Sequence, residues 1–89
     1  AAYICGLNLI AQLKQACAGD LDRVTRVVKL TGYVNATPDY EAQPKVINAV
    51  SHLMADVFAD AGTHARAAVG AGSLPLNVAV EVDGIFEIA

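Results

Sequence analysis

The sequence has no tryptophan, two cysteines and only six lysine and arginine residues among its 89. Nonspecific affinity for nucleic acid comes mainly from clustered lysine and arginine. A chain with a net charge of −3 at pH 7 therefore offers no surface built for phosphate backbones. Arg23, Arg26 and Lys29 come closest to a basic patch, but valines interrupt them and Asp20 and Asp22 precede them. A solvated strand edge and an ion-paired helix start explain these charges, and we expect no nucleic-acid partner.

The spacing of the cysteines and histidines predicts neither a disulfide nor a metal site. Cys5 and Cys17 fall in one predicted helix, where twelve residues at 1.5 Å rise separate them by about 18 Å. A disulfide tolerates a Cα separation of roughly 7 Å at most, so we expect two reduced thiols that pack as small apolar side chains. His52 and His64 have no cysteine or carboxylate partner at the spacing of a metal site, and no metal is assigned.

Long apolar runs are also missing. None approaches the roughly 18–20 residues of a membrane span, and no basic segment at the start leads into an apolar signal core. We therefore expect a cytoplasmic protein without a membrane partner. The sequence opens on Ala1 without an initiator methionine, inside a predicted helix, so we also expect that further residues precede it in the native protein.

Apolar residues are abundant, at 55% of the chain, against about 45–50% in an average soluble domain. Residues 1–89 make one small domain, which buries only about 60–65% of the surface of its unfolded chain. Part of the apolar excess is expected to cover a subunit interface.

Periodicity predicts five main elements. Two amphipathic helices are indicated by apolar residues at three- and four-residue spacing, and three strands by β-branched residues or by alternation. The order is a helix over Tyr3 to Cys17, a strand over Arg26 to Asn35, a helix from Gln43-Pro44 to Ala61, and strands over His64 to Gly70 and Val78 to Ile88. This order predicts an α+β fold with two helices on one face of a mixed sheet. The other face is expected to meet a neighbouring subunit, because the strands also carry the apolar residues Val27 or Val28, Val80, Val82 and Phe86.

The last two strands hold one arginine and one glutamate. If they pair as an antiparallel hairpin about the turn from Gly72 to Pro75, Arg66 and Glu81 lie opposite one another. Two interpretations stay open at this point. The pair is either a structural cross-strand ion pair or a small-molecule site, in which the arginine binds an anion and the carboxylate handles water. Arg66 shares a strand face with His64, Ala68 and Gly70, and the small neighbours leave room around its guanidinium.

The same region resembles a known family. The similarity is carried by the runs Ala65-Arg66-Ala67-x-Val69-Gly70, Leu74-Pro75 and Val80-Glu81-Val82-Asp83, which are similar to the C-terminal signature of the reactive-intermediate deaminase family (RidA/YjgF, or L-PSP endoribonuclease family). The resemblance extends to the passage from Asp20 to Lys29 and to the second helix. It implies that residues 1–89 are the C-terminal part of a chorismate-mutase-like domain, without the N-terminal strands, that assembles as a homotrimer with its sites at subunit interfaces.

The resemblance also implies an activity. At the Arg66 position the family has an arginine that binds the carboxylate of a reactive 2-imino acid, and at the Glu81 position a glutamate that orients water. Hydrolysis would give a 2-keto acid and ammonia without a cofactor. Many members carry a cysteine where this chain has Ala68, so a thiol contributes nothing there.

Two other functions stay open. One is a non-catalytic trimer that binds small carboxylates as a sensor or chaperone-like protein, with Arg66 but no turnover. The other is an endoribonuclease, which ranks last because of the charge. Tyr33, Asn35 and Asn77 either line a cleft at a neighbouring subunit or serve as turn and edge residues.

Overall fold

The computed structural model describes residues 1–89 as two helices packed on one face of a three-stranded sheet. The elements are helix α1 (Ala2–Ala16), strand β1 (Val24–Asn35), helix α2 (Gln43–Phe58), strand β2 (Ala65–Ala71) and strand β3 (Val80–Ile88). Short 3₁₀ turns at Leu21–Arg23, Ala59–Gly62 and Pro75–Asn77 join them. The predicted α+β fold with a mixed sheet and two helices on one face is confirmed. No helix is long and apolar enough to cross a membrane.

Strand β1 is the centre of the sheet, with order β2-β1-β3. It pairs in parallel with β2, from Lys29 opposite Ala65 to Asn35 opposite Ala71. A parallel pair requires a long crossover, which α2 supplies. On its other side β1 pairs antiparallel with β3, in a register that places Val34 opposite Val80.

The predicted hairpin between the last two strands is therefore wrong, because β1 lies between them. The chain leaves β2, passes the end of β1 and returns along its far side as β3. Leu76 and Asn77 adopt positive φ angles of 55° and 54° in this passage. Asn35, at the end of β1, donates through Nδ2 to Asn77 Oδ1 (3.3 Å) and to the carbonyl of Val78 (3.1 Å). Side-chain bonds thus hold the crossing, which a two-residue hairpin would not need.

The core lies between the sheet and the helices. Its fully buried side chains come from β1 and α2, and the largest are Val27, Leu30, Ile47, Val50 and Met54. Helix α2 lies close to the sheet at Gly32, where a Cβ atom would overlap Ile47. This close approach requires glycine at the position, since a side chain there would push the helix away from the sheet.

Helix α1 turns a different side to the core than the sequence predicts. Ile4 and Leu7, which the periodicity assigns to the core, are 57% and 41% exposed. Ala2 and Gly6 are buried instead, whereas Leu13 is buried and Ile10 packs against the core as the periodicity predicts. Gly6 lies against Leu53 and Val50 of α2, so the smallest residues of α1 face the neighbouring helix.

The uncovered face of the sheet carries different residues from those that the sequence predicts for a subunit interface. Val27, Val80, Val82 and Phe86, expected to leave an apolar face for a neighbour, lie on the helix side of the sheet. The uncovered face carries the alternate residues of each strand, including Tyr33, Glu81, Ile85 and Val69. Ile85 and Val69 are 59% and 42% exposed. Apolar side chains do lie on this face, but they are not those that the sequence indicated.

The sequence predicts Gly19 as the left-handed residue that ends α1. In the structure Ala18, directly after the C-cap residue Cys17, is the first residue with positive φ, at 56°, and Gly19 follows with a φ of 89°. No atom lies within 4 Å of a Cβ built there, so an alanine would meet only the backbone penalty. We expect Gly19→Ala to lower the free energy of unfolding by about 1 kcal/mol. Gly72→Ala is the matched control, because Gly72 also faces open space but without a positive φ. Urea unfolding of the two variants checks this, and equal effects would contradict the conformational explanation.

Candidate functional site

Arg66 lies on the edge strand β2, on the face of the sheet that the helices cover. It is aligned with the buried Leu30 of β1, and its side chain reaches α2. There the Nη1 nitrogen donates to Asn48 Oδ1 at 2.7 Å and to Ser51 Oγ at 3.2 Å. Asn48 and Ser51 are separated by three residues and so lie on one side of the helix. The guanidinium is therefore held by two neutral side chains.

The remaining donors of Arg66 are free within the chain. Its Nε and Nη2 atoms make no hydrogen bond, and no carboxylate lies within ion-pair distance, since Arg26 and Glu87 form the one salt bridge of the molecule. A guanidinium with an unoccupied pair of parallel N–H donors matches the two oxygens of a carboxylate. The residue is also exposed, so a ligand can reach it.

Glu81 lies elsewhere. It is opposite Tyr33, on the uncovered face of the sheet and at the far strand. Arg66 and Glu81 are thus two strand spacings apart, about 10 Å, are displaced along the strands by about another 10 Å, and point to opposite faces. The prediction that they lie opposite one another is wrong, because it depended on the hairpin. A cross-strand ion pair between them is excluded with it.

A second polar group adjoins Arg66. His64 Nε2 lies 3.0 Å from Ser51 Oγ, and His64 Nδ1 is hydrogen-bonded to the carbonyl of Gly62. Both His64 and Ser51 are half-buried. His64 lies on the face of Arg66, as alternation along the strand predicts, but the sequence does not single out Asn48 or Ser51. Their signal was a pair of polar residues at i and i+3 within the apolar pattern of α2.

Two open cavities of about 340 Å³ each flank β3 and the end of β1. The first lies between α1 and the unpaired edge of β3, and its lining is Cys5, Asn8, Leu9, Gln12, Val78, Val80, Glu81 and Val82. The second includes Val34, Asn35, Thr37, Tyr40 and Val46. Arg66 lines neither. Within one chain, no cavity therefore combines the predicted anion-binding residue with the predicted carboxylate.

The other residues considered from the sequence lie where they support the fold. Tyr33 lies in mid-sheet, and Asn35 and Asn77 hold the crossing near the end of β1. Cys17 is fully buried, and Cys5 Sγ lies 3.6 Å from the carbonyl of Val80. No group of three or more histidine, cysteine or acidic side chains is arranged to hold a metal ion.

The arginines near the start of β1 do not form a basic patch. Arg23 Nε donates to the carbonyl of Ala89 at 2.9 Å, and Arg26 lies 3.8 Å from the carboxylate of Glu87. Both members of the Arg26–Glu87 pair are more than half exposed, and such pairs contribute little to stability. These charges lie at the start of the central strand and not on an edge strand as expected. The ion-paired helix start is not observed either, because the Asp20 carboxylate accepts a hydrogen bond from the backbone N–H of Asp22.

The fold and the edge-strand arginine define a small α+β protein with a mixed sheet covered on one face. The chain matches, over residues 1–88, the model of the family described as "YjgF/chorismate_mutase-like, putative endoribonuclease". The chain belongs to this family, which confirms the resemblance found in the sequence.

Similar proteins come from distant organisms. Protein TCP17 of Trypanosoma cruzi is 48% identical over 89 residues, which are 99% of this chain and 55% of that protein. The crystal structure of Atu1372 from Agrobacterium tumefaciens, described as a protein of unknown function, is 49% identical with a TM-score of 0.97. The match covers the whole of this chain and 57% of the Atu1372 chain. A structure from Shewanella oneidensis MR-1, described as a "putative endoribonuclease", is 35% identical with a TM-score of 0.93, over 99% of this chain and 58% of that one. The chain thus spans little more than half the length of these relatives.

Proposed function

We propose that the protein hydrolyses reactive 2-imino acids to 2-keto acids and ammonia, with Arg66 as the residue that binds the substrate carboxylate. The observation that carries the proposal is the state of Arg66. Its guanidinium is exposed, is held on one side by Asn48 and Ser51, and has no carboxylate partner in the chain. A fixed cation with a free pair of donors is suited to a ligand that brings its own carboxylate.

The chemistry requires little beyond binding and an oriented water. Water adds to the imine carbon as the C=N electrons move to nitrogen, and the resulting carbinolamine loses ammonia when the C–N bond breaks. A carboxylate near the reacting carbon can accept the proton of the water and return it to the leaving nitrogen. Glu81 is the residue proposed for this step, and the reaction needs no cofactor.

Arg66 and Glu81 of one chain cannot serve the same ligand, because they lie on opposite faces of the sheet. We propose that the protein acts as a homotrimer in which Arg66 of one subunit and Glu81 of its neighbour complete a shared site. The exposed Val69 and Ile85 on the uncovered face supply apolar surface for such an interface. Light scattering of the full-length protein tests the assembly, and a monomer would overturn it.

Turnover tests the activity. Imines generated in solution by an amino-acid oxidase are supplied to the full-length protein, and the release of 2-keto acid and ammonia is measured. We expect the protein to accelerate release and Arg66→Ala to lower kcat/KM by about 10²-fold, since a bidentate, charge-assisted contact is lost. Arg26→Ala is the matched control, because Arg26 lies in the same sheet and its ion pair with Glu87 is at the surface. Equal turnover by Arg66→Ala and the parent would contradict the proposal.

One observation favours a second function. The side chains that touch Arg66 are neutral, so a single chain offers an anchor for a carboxylate but no base beside it. This suits a non-catalytic protein that binds small carboxylates as a sensor or chaperone-like partner. Such a protein would bind a 2-keto acid through Arg66, would retain binding in Glu81→Ala and would not accelerate imine hydrolysis.

A further inference from the structure

Polar side chains lie behind Arg66, and their proposed role rests on that of Arg66 as the carboxylate anchor. Four groups are linked in a row: the carbonyl of Gly62, the imidazole of His64, the hydroxyl of Ser51 and Nη1 of Arg66. Asn48 Oδ1 accepts a second hydrogen bond from the same Nη1. The links made by Asn48 and Ser51 join α2 to residues at or just before β2, and the link between His64 and Gly62 lies within the segment that precedes β2.

The chemistry of the groups sets the direction of each bond. A carbonyl oxygen only accepts, so His64 Nδ1 carries the proton and donates to Gly62. In the neutral ring Nε2 is then an acceptor, and the Ser51 hydroxyl donates to it. The Ser51 oxygen keeps its lone pairs for the N–H of Arg66. The row is therefore complete, since each donor has an acceptor and both His64 and Ser51 donate one hydrogen bond and accept another.

The row also decides which edge of the guanidinium stays free. Nη1 has two hydrogens, and both are used, one for Asn48 and one for Ser51. Nε and Nη2 remain, and together they form the parallel pair of donors along one side of the guanidinium that can hold both oxygens of a carboxylate. An arginine at an exposed strand edge would otherwise sample many rotamers. Fixing one of them when the ligand binds would cost conformational entropy and so lower the affinity.

We propose that Ser51 and His64, together with Asn48, are positioning residues that hold Arg66 with its Nε–Nη2 side turned to the carboxylate of the substrate. They touch the guanidinium or one another and not the reacting carbon. Their contribution is to the binding of the carboxylate, so their loss raises KM and leaves kcat nearly unchanged.

The test is the affinity of the full-length protein for 2-oxobutyrate, a 2-keto acid, measured by calorimetry with 2-oxobutyramide as the uncharged control. We expect Ser51→Ala and His64→Phe each to raise the dissociation constant for 2-oxobutyrate by about 3- to 10-fold. Binding of the amide is expected to stay the same. Ser51→Thr keeps the hydroxyl and His64→Gln keeps an acceptor near the position of Nε2, so both should restore affinity to within about twofold of the parent.

A double-mutant cycle separates positioning from a direct contact. If Ser51 and His64 act through Arg66, Ser51→Ala and His64→Phe have no further effect in the Arg66→Ala background. Ser51→Ala removes one oxygen from a half-buried position, so the test stands even where His64→Phe fails to fold.

The outcomes are distinct. A full weakening by Ser51→Ala in the Arg66→Ala background overturns the inference, because Ser51 would then touch the ligand itself. Unchanged affinity in Ser51→Ala and His64→Phe, with affinity lost in Arg66→Ala, overturns the inference and leaves the proposed function in place. Unchanged affinity in Arg66→Ala overturns both.

Discussion

Mixing Arg66→Ala subunits with Glu81→Ala subunits is expected to restore imine hydrolysis that neither variant shows alone. The two residues lie on opposite faces of one sheet, so a proposed site that uses both must draw them from two subunits. In a mixed assembly, some sites combine the intact Arg66 of one variant with the intact Glu81 of the other. With random assembly of equal amounts, about a quarter of the sites are intact, because each residue is intact in half of the subunits.

The expected recovery is therefore to about a quarter of parent activity, more than tenfold above either variant alone if each lowers kcat/KM by about 10²-fold. The measurement is ammonia release after the full-length variants are unfolded together and refolded. The control is the two variants refolded separately and assayed directly after mixing, so that subunits have not been reassembled together. Parent subunits refolded with Arg66→Ala should retain about half of the activity. A complete absence of recovery in assemblies shown to be mixed would mean that the two residues do not complete one another's sites.

The largest expected effect on stability is at Leu30. Its side chain is fully buried in the middle of β1, between the flanking strands and under α2. Leu30→Ala removes buried apolar atoms and leaves a cavity that the packed Val50 and Ile47 cannot fill, which costs about 2–5 kcal/mol. A small domain has a free energy of unfolding of about 5–15 kcal/mol, so this one change removes a large part of it.

Leu76→Ala is the matched control for this prediction. It removes the same atoms from a side chain that is 97% exposed, in the turn that crosses the end of β1. We expect a change of less than about 0.5 kcal/mol. Denaturant unfolding of both variants measures the difference, and similar destabilisation by the two would show that burial in the core does not determine it.

The helices and strands could be predicted because their apolar residues follow simple periods. The span of β1, the proline at the start of α2 and the positive-φ glycine after α1 all lie where the sequence indicates. Alternation along β3 also assigned Glu81 and Ile85 to one face correctly. These features are local, since each depends on residues within a few positions of one another.

The pairing of the strands could not be predicted in the same way. Two strands separated by a short loop containing Gly72 and Pro75 favour a hairpin on local grounds, but the central position goes to β1. That strand has the buried residues to support pairing on both sides, and the crossing depends on Asn35, which is remote in sequence from Asn77. Long-range pairing thus overrode the local signal.

The candidate site was predicted in part for the same reason. Arg66 and the face it shares with His64 followed from alternation along one strand. Asn48 and Ser51 did not, because an asparagine and a serine in a helix carry no motif, and only the packing of α2 against β2 brings them to the guanidinium. The relation of Arg66 to Glu81 failed along with the hairpin.

The central position of β1 has a consequence for how the chain folds. Its partners are distant in sequence, since Leu30 pairs with Arg66 in β2 and Val34 pairs with Val80 in β3. Helix α2 can form locally, but the apolar middle strand stays without its antiparallel partner until residues 80–88 have left the ribosome. Closing such long loops slows folding and leaves strand edges open to wrong partners. During synthesis, therefore, both edges of β1 stay unpaired until the strands that follow it are made.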